Sequence, residues 1–319
     1  MAAFSAYDMV GIKEEISDII SNISPTKTPF TSMTKNESAK NKFFQWQEDS
    51  LIAAGVNAAI EGAAAPAEVA NATVMRNNVT QILTKKAFAT GTADVVSTYG
   101  RDKELSYQLG LRAAELKRDL ELAFIGLGTV SNAGAAGGPA RVMAGYQQQI
   151  TLTGATAPVV LNGVTATAAG VAALTGSTAA QLTEAMIMSL AQQLYINGVD
   201  PEILMVKPAD APKIAAFATA TGRSRYLDAN GPKSKSLVNA IDTYITPFGE
   251  LRVVLNRFQR TADAMIFEAD MWKQVVLRNW FRTTLAIVGD ATPVSIVGEF
   301  SLKHRNWAAS GLITGLSAT

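Results

Sequence analysis

Residues 98–127 read TYGRDKELSYQLGLRAAELKRDLELAFIGL, and the rest of the chain organises itself around them. Leu105, Leu109, Ala113, Leu116, Leu120, Ala123 and Leu127 recur at steps of four or three, the spacing of one helical stripe. Five basic residues (Arg101, Lys103, Arg112, Lys117, Arg118) meet five acidic ones (Asp102, Glu104, Glu115, Asp119, Glu121), so the other faces are charge-balanced. At 1.5 Å per residue about 30 residues reach ~45 Å, well above the usual helix length. A helix of that reach spans a whole domain.

Towards the N-terminus, Ile12, Ile16, Ile19, Ile20 and Ile23 predict a short amphipathic helix over 8–23, capped by Asp8 and stopped by the proline-rich run 24–30. A stripe this short is marginal alone and must be covered by this subunit or by a neighbour. Residues 42–52, KFFQWQEDSLI, alternate as a strand with Phe44 and Trp46 on one face. A small-residue stretch over 53–74 follows, and 74–96 returns to strand chemistry. Two strand-like arms around a weakly patterned middle describe a long excursion from the body.

Beyond the helix, residues 128–180 are dominated by Gly, Ala, Thr and Val, with Arg141 the one charge. Short strands joined by glycine turns are expected at RVMAGY, QQITLT, APVVLNG and VTAT, a low-complexity linker being the other reading. From 181 the pattern is α/β. A stripe of Leu182, Met186, Leu190 and Leu194 ends at Asn197-Gly198, a buried strand lies at 202–208, and a second helix covers 209–220. A hairpin over 241–257 turns at Pro247–Glu250, and strands or short helices complete the chain.

The 319 residues carry 28 Lys+Arg against 27 Asp+Glu, a formal charge of +1, with 17% charged and 48% hydrophobic residues. A usual chain is ~25% charged. Disorder is excluded, and a dedicated nucleic-acid binder is disfavoured. So little charge leaves much surface either small and neutral or set against other protein. The absence of cysteine removes disulfides, thiolate metal sites and cysteine nucleophiles, and the single histidine, His304, removes two-histidine metal motifs. Gly231-Pro232-Lys233-Ser234 imitates the end of a phosphate loop, but proline interrupts it and the upstream glycine is misplaced. Arg223, Arg225, Lys233 and Lys235 face an anion or are simply solvated. Glu268 and Asp270, near Asp263, could pair as acids or sit on a solvated strand. No catalytic constellation, cofactor site, metal site, membrane span or export signal is read, and the chain is expected not to be an enzyme.

The order of the parts, ISPTKTPF (23–30), NNVTQILTKKAFATGTADVV (77–96), the helix of 98–127 and EFSLKHRNWAASGLITGL (299–316), resembles the major capsid proteins of tailed bacteriophages with the Hong Kong 97-type fold. The resemblance implies an α+β fold with an N-terminal arm (1–40) and an extended β E-loop (41–97). A P-domain (98–180) would hold the spine helix 98–127 and a β-rich segment. An A-domain (181–290) and a return to the P-domain (291–319) would complete it. It further implies a shell subunit assembling with identical copies in hexamers and pentamers around double-stranded DNA. A separate scaffolding protein is expected because the arm starts near Met1, with a portal and a decoration protein as further partners. The expected location is the virion shell, assembled in the host cytoplasm.

Ile12, Ile16, Ile20, Pro29, Phe30, Phe44, Trp46, Lys85 and Lys86 are the candidate interface residues, with no crosslinking role carried over to the two lysines. DNA contact would be non-specific, around Arg112, Lys117 and Arg118. The alternatives are an encapsulin-like nanocompartment of the same fold, a surface adhesin and, last, a metabolic enzyme.

Overall fold

The structure is a computed structural model that describes residues 26–52, 54–62, 64, 71–96, 103–151, 159–161, 181–217, 243–287 and 289–317. In chain order the elements begin with α1 (Pro29–Met33), β1 (Lys35–Ser38), β2 (Phe43–Glu48), β3 (Val74–Val79), β4 (Gln81–Thr90) and α2 (Gly91–Val95). There follow α3 (Glu104–Glu121), α4 (Tyr146–Thr151), β5 (Val159–Leu161), α5 (Glu184–Ile196), β6 (Ile203–Val206), α6 (Ala211–Phe217), β7 (Thr243–Thr246) and β8 (Gly249–Leu255). The chain closes with β9 (Ala264–Phe267), β10 (Trp272–Thr284), β11 (Ala291–His304) and β12 (Ser310–Thr314).

The helix of the 98–127 stripe begins at Glu104, because Lys103 is already extended, and runs 18 residues. Its last turn widens into a π-turn over Leu122–Gly126, closed by Leu127 N–H on the Leu122 carbonyl. Gly126 permits this: a Cβ there would lie 2.5 Å from the Phe258 carbonyl oxygen. Leu116, Leu120 and Ala123 are buried as the stripe requires, whereas Leu127 turns out to solvent.

Under α3 lies a four-stranded sheet in the order β1-β10-β11-β4. Lys85 from β4 reaches up to α3, its Nζ 3.0 Å from both Glu115 and Asp119. The second sheet, β5-β12-β9-β6-β8-β7, has six strands. Its central members β6 (ILMV) and β9 (AMIF) are buried at every position, the pattern of strands covered on both faces. α5 packs on β12 so tightly that a Cβ at Gly311 would sit 2.5 Å from a Leu190 methyl. Thr183 caps α5 by accepting from Met186 N–H, and Gly198, at φ 84°, takes the left-handed position that ends it.

One aromatic core joins the two sheets. Phe30 stands at its centre, edge-on to Phe124, Tyr146, Phe267 and Trp272 at 5.5–6.1 Å. Trp272 stacks on Tyr146 at 4.5 Å and on His304 at 4.1 Å.

The fold differs from the sequence reading in four places. Residues 146–151 form a helix, not a strand: Tyr146 OH donates to the Gly311 carbonyl and Gln147 to that of Ile125, so contacts to the core override β-propensity. The 74–96 strand is broken at Thr80 into β3 and β4, which lie in different sheets, and its end coils into α2 under a Thr90 cap. The sheets also cut across the expected boundaries, since β10 (272–284) joins the four-stranded sheet while β5 and β12 join the six-stranded one. Phe30, taken as an interface residue, is fully buried in the subunit's own core and has no surface to offer a neighbour. The hairpin at 241–257 is present as β7 and β8, with Thr246 opposite Gly249.

Candidate functional site

The surface that stands out is the excursion between β1 and β4. β2 and β3 pair only with each other, Phe43 opposite Val79 and Glu48 opposite Val74. A two-stranded ribbon is marginal in water without a third layer. Among the described residues no third layer covers it: Phe43, Val74 and Met75 are exposed on the strands, and Leu51 (97%), Val56 (99%) and Ile60 (84%) protrude from the connection. Apolar side chains concentrated this way mark a surface meant for other protein.

The root of the ribbon is pinned firmly. Asn78 Nδ2 donates to the Leu302 carbonyl at 2.6 Å, and its Oδ1 accepts from Ala144 N–H at 2.9 Å. Thr80 Oγ1 donates to Glu299 at 2.6 Å, and the same buried carboxylate is held by Arg278 at 2.9 Å and by Arg141. The arm preceding the ribbon is clamped too. Glu121, buried at the end of α3, accepts from Phe30 N–H and Thr31 N–H at 2.8 Å each, from Asn256 Nδ2 at 2.6 Å, and from the Thr31 hydroxyl. Sequence reasoning missed Asn78, Thr80, Glu121 and Glu299; the one legible signal is the cluster Asn77, Asn78, Thr80 and Gln81 around Val79, uncharged polar residues that point to the first two only.

The candidate residues separate. Phe44 and Trp46 share a face of β2 and stack at 5.7 Å. Pro29 opens α1 half-buried, beside the interior Phe30. Lys85 points into the subunit, where burial disfavours its charge but hydrogen bonds and charges from Asp119 and Glu115 outweigh it and hold its pKa above the ordinary value. Arg112, with Lys85 behind it, depresses Glu115 against the opposing effect of burial. Lys86, on the opposite face of β4, is exposed, as are Ile82 and Phe88 on that face. Ile12, Ile16 and Ile20 lie outside the described residues, as do 218–242 with the four basic residues near 222–235.

Glu268 of the possible acid pair has its pKa raised, by burial first and then by the charges of Glu202, Asp270 and Asp200. Asp263 is buried, accepts from Thr314 Oγ1 at 2.7 Å, and has its pKa raised by burial. Asp270 stands at the surface 2.6 Å from Lys35. His304 is interior, with Nε2 2.9 Å from Ser310 Oγ; burial, aided by the Arg76 charge, lowers its pKa to about 3. Among the described residues no group of three or more His, Cys, Asp or Glu side chains could hold a metal ion. No described helix is long and apolar enough to cross a membrane.

A clamped arm, a pinned ribbon with a bare apolar tip, and a long helix over a four-stranded sheet define the Hong Kong 97-type capsid fold. Solved structures share it: the capsid of a native GTA particle superposes with a TM-score of 0.60 at 12% identity, over 98% of this chain and 97% of that one. The holo-SrpI encapsulin complex of Synechococcus elongatus PCC 7942 does so with a TM-score of 0.57 at 9% identity, over 97% and 94%. At such identities the likeness is one of fold. The family is more specific: residues 3–317 match the model of the SU10 major capsid protein, and the chain belongs to that family. A major capsid protein of Escherichia phage Phieco32 is 32% identical over 341 residues, 97% of this chain and 96% of that protein.

Proposed function

We infer that this chain is the major capsid protein of a tailed bacteriophage, a structural subunit whose identical copies close into an icosahedral head around double-stranded DNA. The observation that carries this is the β2–β3 ribbon, anchored at its root yet with an apolar tip that none of the described residues covers. Burial of exposed side chains such as Leu51, Val56 and Ile60 against a neighbour would contribute at ~25 cal/mol per Å² before the cost of ordering. The mechanism is geometric: a rigid core holds a projecting ribbon, and repeated head-to-tail contacts that close generate a shell. The nanocompartment reading shares the fold, but membership of a phage capsid family favours the virion.

In this reading residues 41–97 are the E-loop, and hexamers and pentamers are built with a separate scaffolding protein and a portal. Assembly takes place in the host cytoplasm, and a decoration protein covers the finished shell. Packaged DNA meets a locally basic surface around Arg112, Lys117 and Arg118 through non-specific, salt-sensitive contacts. The experiment is electron microscopy of the purified protein with and without the scaffolding gene product. Closed shells are expected; a protein that stays monomeric under every assembly condition would refute the proposal.

A further inference from the structure

Where the ribbon leaves the body there is a cavity of about 210 Å³, lined by Trp46, Glu48, Met75, Arg76, Asn77 and His304. Two of its lining residues each carry a buried polar atom that no described residue satisfies. Trp46 Nε1 and His304 Nδ1 are both shut off from solvent, and neither has a hydrogen-bond partner among the described residues. His304 is 99% buried, being 1% exposed, with its other ring nitrogen committed to Ser310. Gln149, also on the wall, uses its amide within the subunit, donating to the Leu302 carbonyl at 3.0 Å and accepting from His304 N–H at 2.9 Å. Buried polar groups are almost always bonded, so two orphans in one cavity call for an explanation.

We propose that this cavity is a receptor for a neutral carbonyl group, a peptide or a side-chain amide, carried by an extended segment of a second copy of the chain. The proposal rests on the assembly reading and adds a specific polar contact to it. The charge of the cavity excludes a carboxylate or an ammonium as occupant. Glu48 and Arg76 already neutralise each other at 3.0 Å, with the Glu48 side chain only 7% exposed, so a third charge would be buried unpaired. What is missing is an oxygen acceptor for the indole N–H, and an amide adds a second polar atom for the imidazole. A single water occupies about 30 Å³ of liquid volume, so the space accommodates a side chain. The rim supplies the location: Val74, 47% exposed, lies opposite Glu48 on the ribbon face that also carries Trp46 and Arg76. A copy lying along that face would pass over the opening.

The test compares unassembled subunits with shells, for the wild type and Trp46→Phe, which keeps the ring and removes the N–H. The indole N–H band in ultraviolet resonance Raman spectra reports bonding directly. The wild-type-minus-variant difference should sit at the free position in subunits and move to the bonded position in shells. Trp46→Phe should leave the denaturation midpoint of the subunit unchanged or raised, and increase about tenfold the concentration of free subunit coexisting with shells. If the variant does not fold, the wild-type band still decides, since one of four tryptophans must shift on assembly. A band already bonded in the subunit would mean an internal water and would overturn the proposal, as would a band unmoved on assembly. Shells that form normally with neither change sink this inference alone; a wild type that forms no shells sinks the assembly reading with it.

Discussion

β6 and β9 contain ILMV and AMIF, and every one of those side chains is buried. The connection of the ribbon between β2 and β3 also carries large apolar residues, yet Leu51, Val56 and Ile60 stand almost wholly in solvent. Hydropathy does not separate the two regions. Layers do: β6 and β9 have sheet neighbours on both edges and α5 above, whereas the ribbon pairs with no third strand and its connection is left bare among the described residues. The first region is finished by this chain; in the proposed shell the second is finished by another.

The largest predicted effect breaks the comparison in both directions. Replacing residues 49–73 with a short turn should abolish shell formation while moving the subunit's thermal midpoint by no more than a few degrees, read by microscopy and calorimetry. Phe267→Ala, in the aromatic core, should instead cost the subunit ~3–5 kcal/mol by denaturant titration.

Next is the clamp on the arm. Glu121→Ala leaves Phe30 N–H, Thr31 N–H and Asn256 Nδ2 without their acceptor and should cost ~3 kcal/mol, with faster hydrogen exchange over 29–38.

Acid should reach the core through His304. Its pKa is about 3 in the folded subunit and 6.5 as the ordinary value, so between them the unfolded chain binds the proton and the folded one does not. Stability is therefore full above pH ~6.5 and falls towards pH 3, at ~1.4 kcal/mol per pH unit from this group. His304→Phe should remove that part of the slope, as measured by denaturant midpoints across pH.

The smallest subunit effects belong to the exposed surface: Ile60→Ser and Lys86→Ala should each change subunit stability by less than about 0.5 kcal/mol. Ile60→Ser should nevertheless weaken assembly, measured as free subunit in equilibrium with shells.

The chain announces its regular parts through periodicity. The stripe of 105–123, the stripe of α5 with its Gly198 stop and the buried strand β6 follow from spacing alone, because each is decided by its own residues, whereas AMIF of β9 lay in a stretch read as strands or short helices. Contacts decided elsewhere were hidden. YQQQIT has no helical pattern, and it becomes α4 because Ile125 and Gly311 present carbonyls to its side chains. Phe30 sits in a proline-rich run that reads as a surface arm, and it is held inside by Glu121, 91 residues away, and by the rings of Phe124, Tyr146, Phe267 and Trp272. The candidate surface was legible as an excursion with too little core; its anchors Asn78, Thr80 and Glu299 were not, since Asn78 meets Ala144 and Leu302, and Thr80 meets Glu299, across more than sixty residues of sequence.

Hydrogen exchange followed region by region, in unassembled subunits and in shells, tests the central claim most directly. Amides of 51–62 should exchange rapidly in the subunit and slow markedly in the shell, while those of β6 and β9 stay slow in both. Protection of 51–62 in the lone subunit, equal to that in the shell, would contradict the account.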